Sequence, residues 1–418
     1  MMQQQHNTQA TFNVDEVRSH FPALASDDIY FDNPGGTQVA REAMARMQDY
    51  FEQSNANHGG AFRTSLASDA VVAEARQAVA GFLNAARPEE IVFGQNMTSL
   101  TLHISRSIAR MLNPGDEIVV TRLDHDANIA PWLLIAEDRG CVVRWVDIHP
   151  DDCTLDMEDM QRQITPRTKL VAIGYASNAV GTINDVKRAI ELAHSVGALC
   201  FIDAVQYAPH KLIDVQALDC DFLACSAYKF FGPHTGMLYG KYHLLGTLTA
   251  YKVRPSSNLP PDKFETGTQS FESIAAVLGA MEYFAWVGKQ FGGDTGPLHH
   301  ALRKGIEVID AYELQLNHAL LEGLRSVPGL HIYGISDPQK MSQRVPTFSF
   351  TLDGLDPLVV AEKLAQEHIN VWNGNYYALA VMERLGLEEQ GGMVRVGLTH
   401  YNTFGEIEKL VKVLHTLS

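Results

Sequence analysis

"KLVAIGYASNAVGTINDVKRAIELAHSVGALCFIDAV", residues 169–205, contains a strand, a helix and a second strand in succession. The runs at 169–177 and 198–205 are continuously apolar rather than alternating, which is the mark of strands covered on both faces. Between them, "DVKRAIELAHSVG" (185–197) has an amphipathic helical pattern. A strand that returns through a helix lies parallel to its predecessor. The fold class expected from this stretch is α/β.

The same alternation extends in both directions. Strand-like runs occur at "EIVVT" (117–121), "CVVRWVDI" (141–148), "DFLACSAY" (221–228) and "GMLYG" (236–240). Helical patterns fill "TSLTLHISRSIARML" (98–112) and "NIAPWLLIAEDRG" (128–140), and "IVFGQNMTS" (91–99) leads from a further strand into a helix. These predict a mostly parallel seven-stranded sheet with helices on both faces. Near the start, "NVDEVRSHFPAL" (13–24) reads as a short helix turning at Pro22. After about residue 270 the order changes to long helical patterns (272–291, 299–327) followed by strand-like pieces at 331–335, 347–352 and 393–398. Helices followed by strands predict a smaller C-terminal α+β domain.

Composition narrows the partners. The 418 residues carry 33 Lys+Arg against 49 Asp+Glu, a formal charge of -16, which argues against nucleic acid or anionic membrane. No run approaches the length of a membrane span, and the polar "MMQQQHNTQATFN" start shows no secretory signal. The five cysteines form no C-x-x-C pair and mostly sit in apolar segments, so reduced thiols and a cytoplasmic location are expected.

In a parallel sheet, ligands bind beyond the carboxyl ends of the strands. The residues there are Thr98 after "IVFGQN", His125 in "LDHDAN", Asn178 in "YASN", Asp203 and Gln206 in "FIDAVQ", and Ser226, Tyr228 and Lys229 in "SAYK". Singly, each has an ordinary explanation. Thr98 can cap a helix, Asn178 can make a turn before Gly181, and Asp203 can pair with Lys229 as a buried ion pair. Together they match a cofactor bearing an aldehyde, a protonated ring nitrogen and a phosphate, namely pyridoxal 5′-phosphate. Lys229 would form the Schiff base, and Asp203 would keep the ring nitrogen protonated. The phosphate would lie on the helix amides near Thr98 with the Ser226 and Tyr228 hydroxyls. His125 would stack on the ring, and Gln206 would reach its phenolic oxygen. A nicotinamide enzyme should show G-x-G-x-x-G, and no such run occurs; His299-His300 lacks companions at metal-ligand spacing.

These motifs, in this chain order, resemble the class V aminotransferase family, and within it the cysteine desulfurase-like enzymes. The likeness runs from "IYFDNPGGTQ" (29–38) through "DHDANIAPW", "SNAVGTI", "IDAVQYAPH" and "DCDFLACSAYKFFGP" to "VRVGLTHYNT" (394–403). The resemblance implies the fold-type-I architecture of pyridoxal-phosphate-dependent transferases. It also implies a homodimer with shared active sites, and the roles given above. It further implies that Arg395 grips a substrate α-carboxylate and that Thr268, in "FETGTQS", reaches the phosphate of the neighbouring subunit. The expected division is an N-terminal segment (1–28) packing on the small domain, a large cofactor-binding domain (29–285) and a small domain (286–418).

The departures bear on the reaction. Desulfurases of this kind carry a persulfide-forming cysteine in the stretch that is "INVWNGNYYALAV" (369–381) here. Tyr377 stands in its place, and Trp372 stands near where an arginine is usual. Tyr228 stands where histidine is common. Tyr376 and Tyr377 either pack the turn or, with Trp372, close over the substrate. Lys229 and His125 are the candidate catalytic residues. The expected reaction is carbon–sulfur β-elimination on a cysteine-like amino acid without a persulfide. Alternatives are decarboxylative carbon–carbon bond formation from an aspartate-like substrate, transamination or epimerisation, and a non-catalytic cofactor-binding partner protein.

Overall fold

The computed structural model describes residues 12–418. The seven strands of the main sheet are β1 (Ile91–Gly94), β2 (Glu117–Thr121), β3 (Val142–Val146), β4 (Thr168–Gly174), β5 (Leu199–Asp203), β6 (Phe222–Ser226) and β7 (Gly236–Gly240). Their spatial order is β1-β7-β6-β5-β4-β2-β3, and only β7 runs antiparallel to its neighbours. Each strand-like run read from the sequence between 91 and 240 therefore enters one sheet. Consecutive side chains leave on opposite faces. Leu170 and Ala172 join the layer under α1 (Met97–Ala109) and the helix Ala130–Arg139, while Val171 and Ile173 join the layer under the helix Val186–Ser195. Burying each such aliphatic side chain contributes about 1.5–3 kcal/mol, which is why the central strands are mostly apolar, while the edge strand β3 keeps Val142 exposed.

The second face is covered by α2 (Phe271–Gly292), which is buried nearly all round. It packs against α3 (Leu298–Arg325) so closely that a Cβ on Gly288 would lie 1.8 Å from the Ala301 carbonyl oxygen. A Cβ on Gly305 would lie 1.9 Å from that of Phe284. α2 continues unbroken through the expected 285/286 division.

β8 (Leu330–Tyr333), β9 (Thr347–Leu352), β10 (Trp372–Gly374) and β11 (Met393–Gly397) form an antiparallel sheet in the order β8-β9-β11-β10. Ile29–Tyr30 pairs in parallel with Ile369–Asn370. Arg18, in the short helix Val14–Arg18, donates to the Tyr401 carbonyl at 2.7 Å and to Glu406 Oε1 at 2.8 Å. Residues 1–11 of the expected N-terminal segment lie outside the described residues. Two helices not read from the sequence, Arg41–Gln53 and Arg63–Leu83, precede the sheet; the second buries Ala75, Ala78, Val79, Phe82 and Leu83. Among the described residues, no helix is long and apolar enough to cross a membrane.

Candidate active site

The carboxyl ends of β1, β2, β4, β5 and β6 open into a cleft of about 1210 Å³ that the small sheet closes from above. It is lined by Thr98, His125, Asn178, Asp203, Gln206, Ser226, Tyr228, Lys229, Trp372, Tyr377 and Arg395. The strand-end residues singled out in the sequence thus meet in one place, although they span nearly three hundred positions. Thr268 is exposed on a loop and does not line the cleft of its own chain.

One end of the cleft holds the start of α1. Asn96 caps α1 by accepting from Ser99 N at 2.9 Å, and Met97 N donates to Ser226 Oγ at 2.9 Å, so the start of α1 is tied to the end of β6. Thr98 stands in this first turn, where the helix dipole favours negative charge. The approach is tight: a Cβ on Gly236, at the start of β7, would lie 2.4 Å from the Asn96 carbonyl carbon.

The floor holds the titratable groups. Asp203 ends β5, 7% exposed; burial pushes its carboxyl up to about 6 although Oδ1 accepts from Val205 N at 2.9 Å. Burial, and then the Arg395 cation, pushes the Lys229 ammonium down to about 7. Its Nζ donates to the Pro34 carbonyl, and no hydrogen bond joins it to Asp203. The buried Asp–Lys ion pair of the ordinary reading is not formed. The Tyr228 ring centre is 4.9 Å from Nζ, and the ring stacks on His234. His125 Nδ1 accepts from Ala127 N at 3.0 Å, which assigns the ring proton to Nε2. Burial, with Lys229 and Arg395 nearby, pushes this imidazole down to about 4, so it is neutral at physiological pH.

The roof carries Arg395 on β11, 4% exposed, with its guanidinium 4.3 Å from the Tyr376 ring centre. Its Nη1 donates to the Asn178 carbonyl at 2.8 Å, and Asn178 Nδ2 donates to the Tyr376 carbonyl at 2.9 Å. Burial pushes the Arg395 guanidinium down to about 10, which leaves it a cation. Gln206 Nε2 donates to Thr347 Oγ1 at 3.0 Å, across to the small sheet. Tyr376 and Tyr377 both have positive φ, 55° and 59°. This is a strained pair for residues with a Cβ, and Asp126 N donating to the Tyr377 carbonyl at 2.7 Å helps hold it. The Tyr377 ring, 74% exposed, stacks on His125 at 5.6 Å.

Two contributors escaped the sequence reading. Asp124 lies beside His125, 2% exposed, held by Thr121 Oγ1 and Asn128 Nδ2, with burial pushing it up to about 7. The Pro34–Gly35 turn also lines the cleft, and a Cβ on Gly35 would lie 2.5 Å from Trp372 Nε1. The carboxylate beside His125 was the signal for Asp124; nothing local marks Pro34. Asn178 Oδ1 and Arg395 Nε are buried without a partner. Those orphaned atoms, a readily neutral lysine, a buried carboxylate and the N-terminus of α1 fit a cofactor with an aldehyde, a basic ring nitrogen and a phosphate.

The comparisons agree with this geometry. The family model for class-V aminotransferases matches residues 29–410. The chain is 34% identical over 417 residues to an aminotransferase-like protein of Gibberella zeae, covering 97% of this chain and 98% of that one. It is 31% identical over 426 residues to a cysteine desulfurase of Dickeya dadantii, covering 97% of each. The apo structure of a cysteine desulfurase from Thermococcus onnurineus superposes with a TM-score of 0.87 at 28% identity, over 98% of this chain and 99% of that one.

Proposed function

The chain belongs to the class-V aminotransferase family, and from that premise we propose that it is a pyridoxal 5′-phosphate-dependent carbon–sulfur lyase. Its substrate is a cysteine-like α-amino acid, and it forms no protein persulfide. When bound, the cofactor supplies an electron sink for charge developing at the substrate Cα. Lys229 holds the cofactor aldehyde and, once released, moves the Cα proton; burial leaves its amine neutral near physiological pH, as a base requires. Asp203 would hold the ring nitrogen protonated. The start of α1, with Thr98, Ser226 and Tyr228, holds the phosphate. Neutral His125 would pack on the ring, and Gln206 would meet its phenolic oxygen. Arg395 offers its fork to the α-carboxylate while Asn178 steadies it. Trp372 and Tyr377 cover the substrate and exclude water. Thr268, exposed away from its own cleft, serves the neighbouring subunit of a homodimer.

The carrying observation is the lack of a thiol among the residues that line the cleft. Four of the five cysteines are buried, the fifth is Cys141, and Tyr377 occupies the turn over the site. The relatives named cysteine desulfurases support a sulfur-containing substrate. With no acceptor thiol, sulfur leaves as sulfide, and the remaining carbon skeleton hydrolyses to pyruvate and ammonia. An aspartate-like substrate ranks second. The cations lining the cleft, Lys229 and Arg395, would be engaged by the cofactor and the α-carboxylate, while Asp126 and Glu388 also line it and would repel a second carboxylate. Product analysis with L-cysteine tests the reading. Sulfide with pyruvate supports it; alanine with an enzyme-bound persulfide overturns it.

A further inference from the structure

Arg344 lies outside the cleft, 1% exposed, and among the described residues it forms no ion pair with a carboxylate. A buried guanidinium without a counter-charge is costly, so the neighbours it does have are informative. Nη1 donates to the Ile335 carbonyl, and Nη2 donates to the carbonyls of Thr347 and, at 3.1 Å, Val180. The group also rests 3.5 Å from the Phe348 ring centre. Ile335 and Thr347 belong to the small-sheet region, whereas Val180 belongs to the loop 177–183 that follows β4. One planar fork therefore joins two parts of the molecule through backbone carbonyls alone.

The same seam is stitched along its length. Ile183 N donates to the Gln343 carbonyl at 3.0 Å, Val345 N to the Gly181 carbonyl at 2.9 Å, and Ser349 Oγ to the Ala179 carbonyl at 2.5 Å. Gly181 has φ +77°, and a Cβ there would lie 2.4 Å from the Thr347 oxygen, so only glycine allows the loop to sit this close to the small sheet. The first residue along from this seam is Asn178, whose carbonyl accepts from Arg395 Nη1. Ser349 stands opposite Arg395 in the β9–β11 register.

We propose that Arg344 is a positioning residue for the substrate carboxylate, holding the loop 177–183 against the small sheet so that Asn178 aims Arg395. This rests on the reading that Arg395 grips the carboxylate.

The test uses cofactor-loaded protein carrying Arg344→Lys, which keeps a charge but loses the fork, and separately Ser349→Ala, which cuts a second tether on the same loop. Steady-state kinetics are paired with calorimetric binding of propionate, a non-reacting carboxylate. Arg344→Lys should raise KM and weaken propionate binding about tenfold, with kcat within about twofold, and Ser349→Ala should do so about threefold. The visible absorbance of the bound cofactor, which reports on Lys229, should not change. Unaltered propionate affinity in both variants, or a fall in kcat with altered absorbance, overturns the proposal. If Arg344→Lys fails to fold, Ser349→Ala decides alone on the same criterion. Arg395→Lys separates the two readings. Unchanged propionate affinity there means the carboxylate assignment itself is wrong; weakened affinity there, with normal affinity in the other variants, means only the role of Arg344 is wrong.

Discussion

At Lys229, desolvation and the Arg395 cation outweigh the attraction of Asp203 and Asp32, and the amine loses its proton near pH 7 rather than near 10.5. Only the neutral amine attacks an aldehyde. Covalent cofactor uptake by the apo-protein, followed by stopped-flow absorbance, should therefore accelerate about tenfold per pH unit below 7 and level off above it. A rate still climbing at pH 9 would show an ordinary lysine. Tyr377 supports a second prediction. A left-handed conformation costs about 1–2 kcal/mol for a residue with a Cβ, and glycine escapes it at a smaller entropic cost. With its side chain 74% exposed, Tyr377→Gly should leave stability unchanged or raise it by up to about 1 kcal/mol while KM rises several-fold. Urea denaturation beside kinetics checks both halves, and a clear loss of stability would refute the strained-turn account.

At the scale of elements, helix propensity and packing pull in opposite directions along α2. Alanine is ordinarily favoured over glycine in a helix interior by about 1 kcal/mol. At Gly288 the added methyl would collide with the Ala301 backbone of α3, which cannot step aside as a flexible side chain can. Gly288→Ala should therefore destabilise the fold by about 3 kcal/mol, the upper range for overpacking, as measured by chemical denaturation. A stabilised variant would show that the two helices can separate freely. The strands of the main sheet were legible because burial on both faces demands unbroken apolar runs. The helix Arg63–Leu83 was not, because its first half fully buries only Ser65 and Ser68, and the large residues Phe82 and Leu83 come at its very end.

For the whole molecule, the exposed Thr268 and the cleft lie apart within one chain, and the proposed homodimer brings one subunit's loop to the other's site. That arrangement has an arithmetic consequence. Neither Lys229→Ala nor Thr268→Ala homodimers should be fully active, but refolding the two together makes mixed dimers with one intact site each. An equal mixture should recover about a quarter of the wild-type sites, since half the dimers are mixed. Recovery no greater than the sum of the parents would place Thr268 in its own chain's site or in none.

The sequence by itself determined the alternating α/β order and the residues standing at strand ends. Those follow from local demands: a doubly covered strand must be apolar, and a polar residue closing it must have a purpose. It also determined that no cysteine follows Cys225. Only the tertiary structure decided that Lys229 donates to Pro34 and makes no pair with Asp203, that Asp124 shares the floor, and that Arg344 links the loop 177–183 to the small sheet. The Lys229–Pro34 and Arg344–Val180 contacts join positions 195 and 164 residues apart. Such contacts depend on how two sheets meet, and no run of neighbouring residues encodes that.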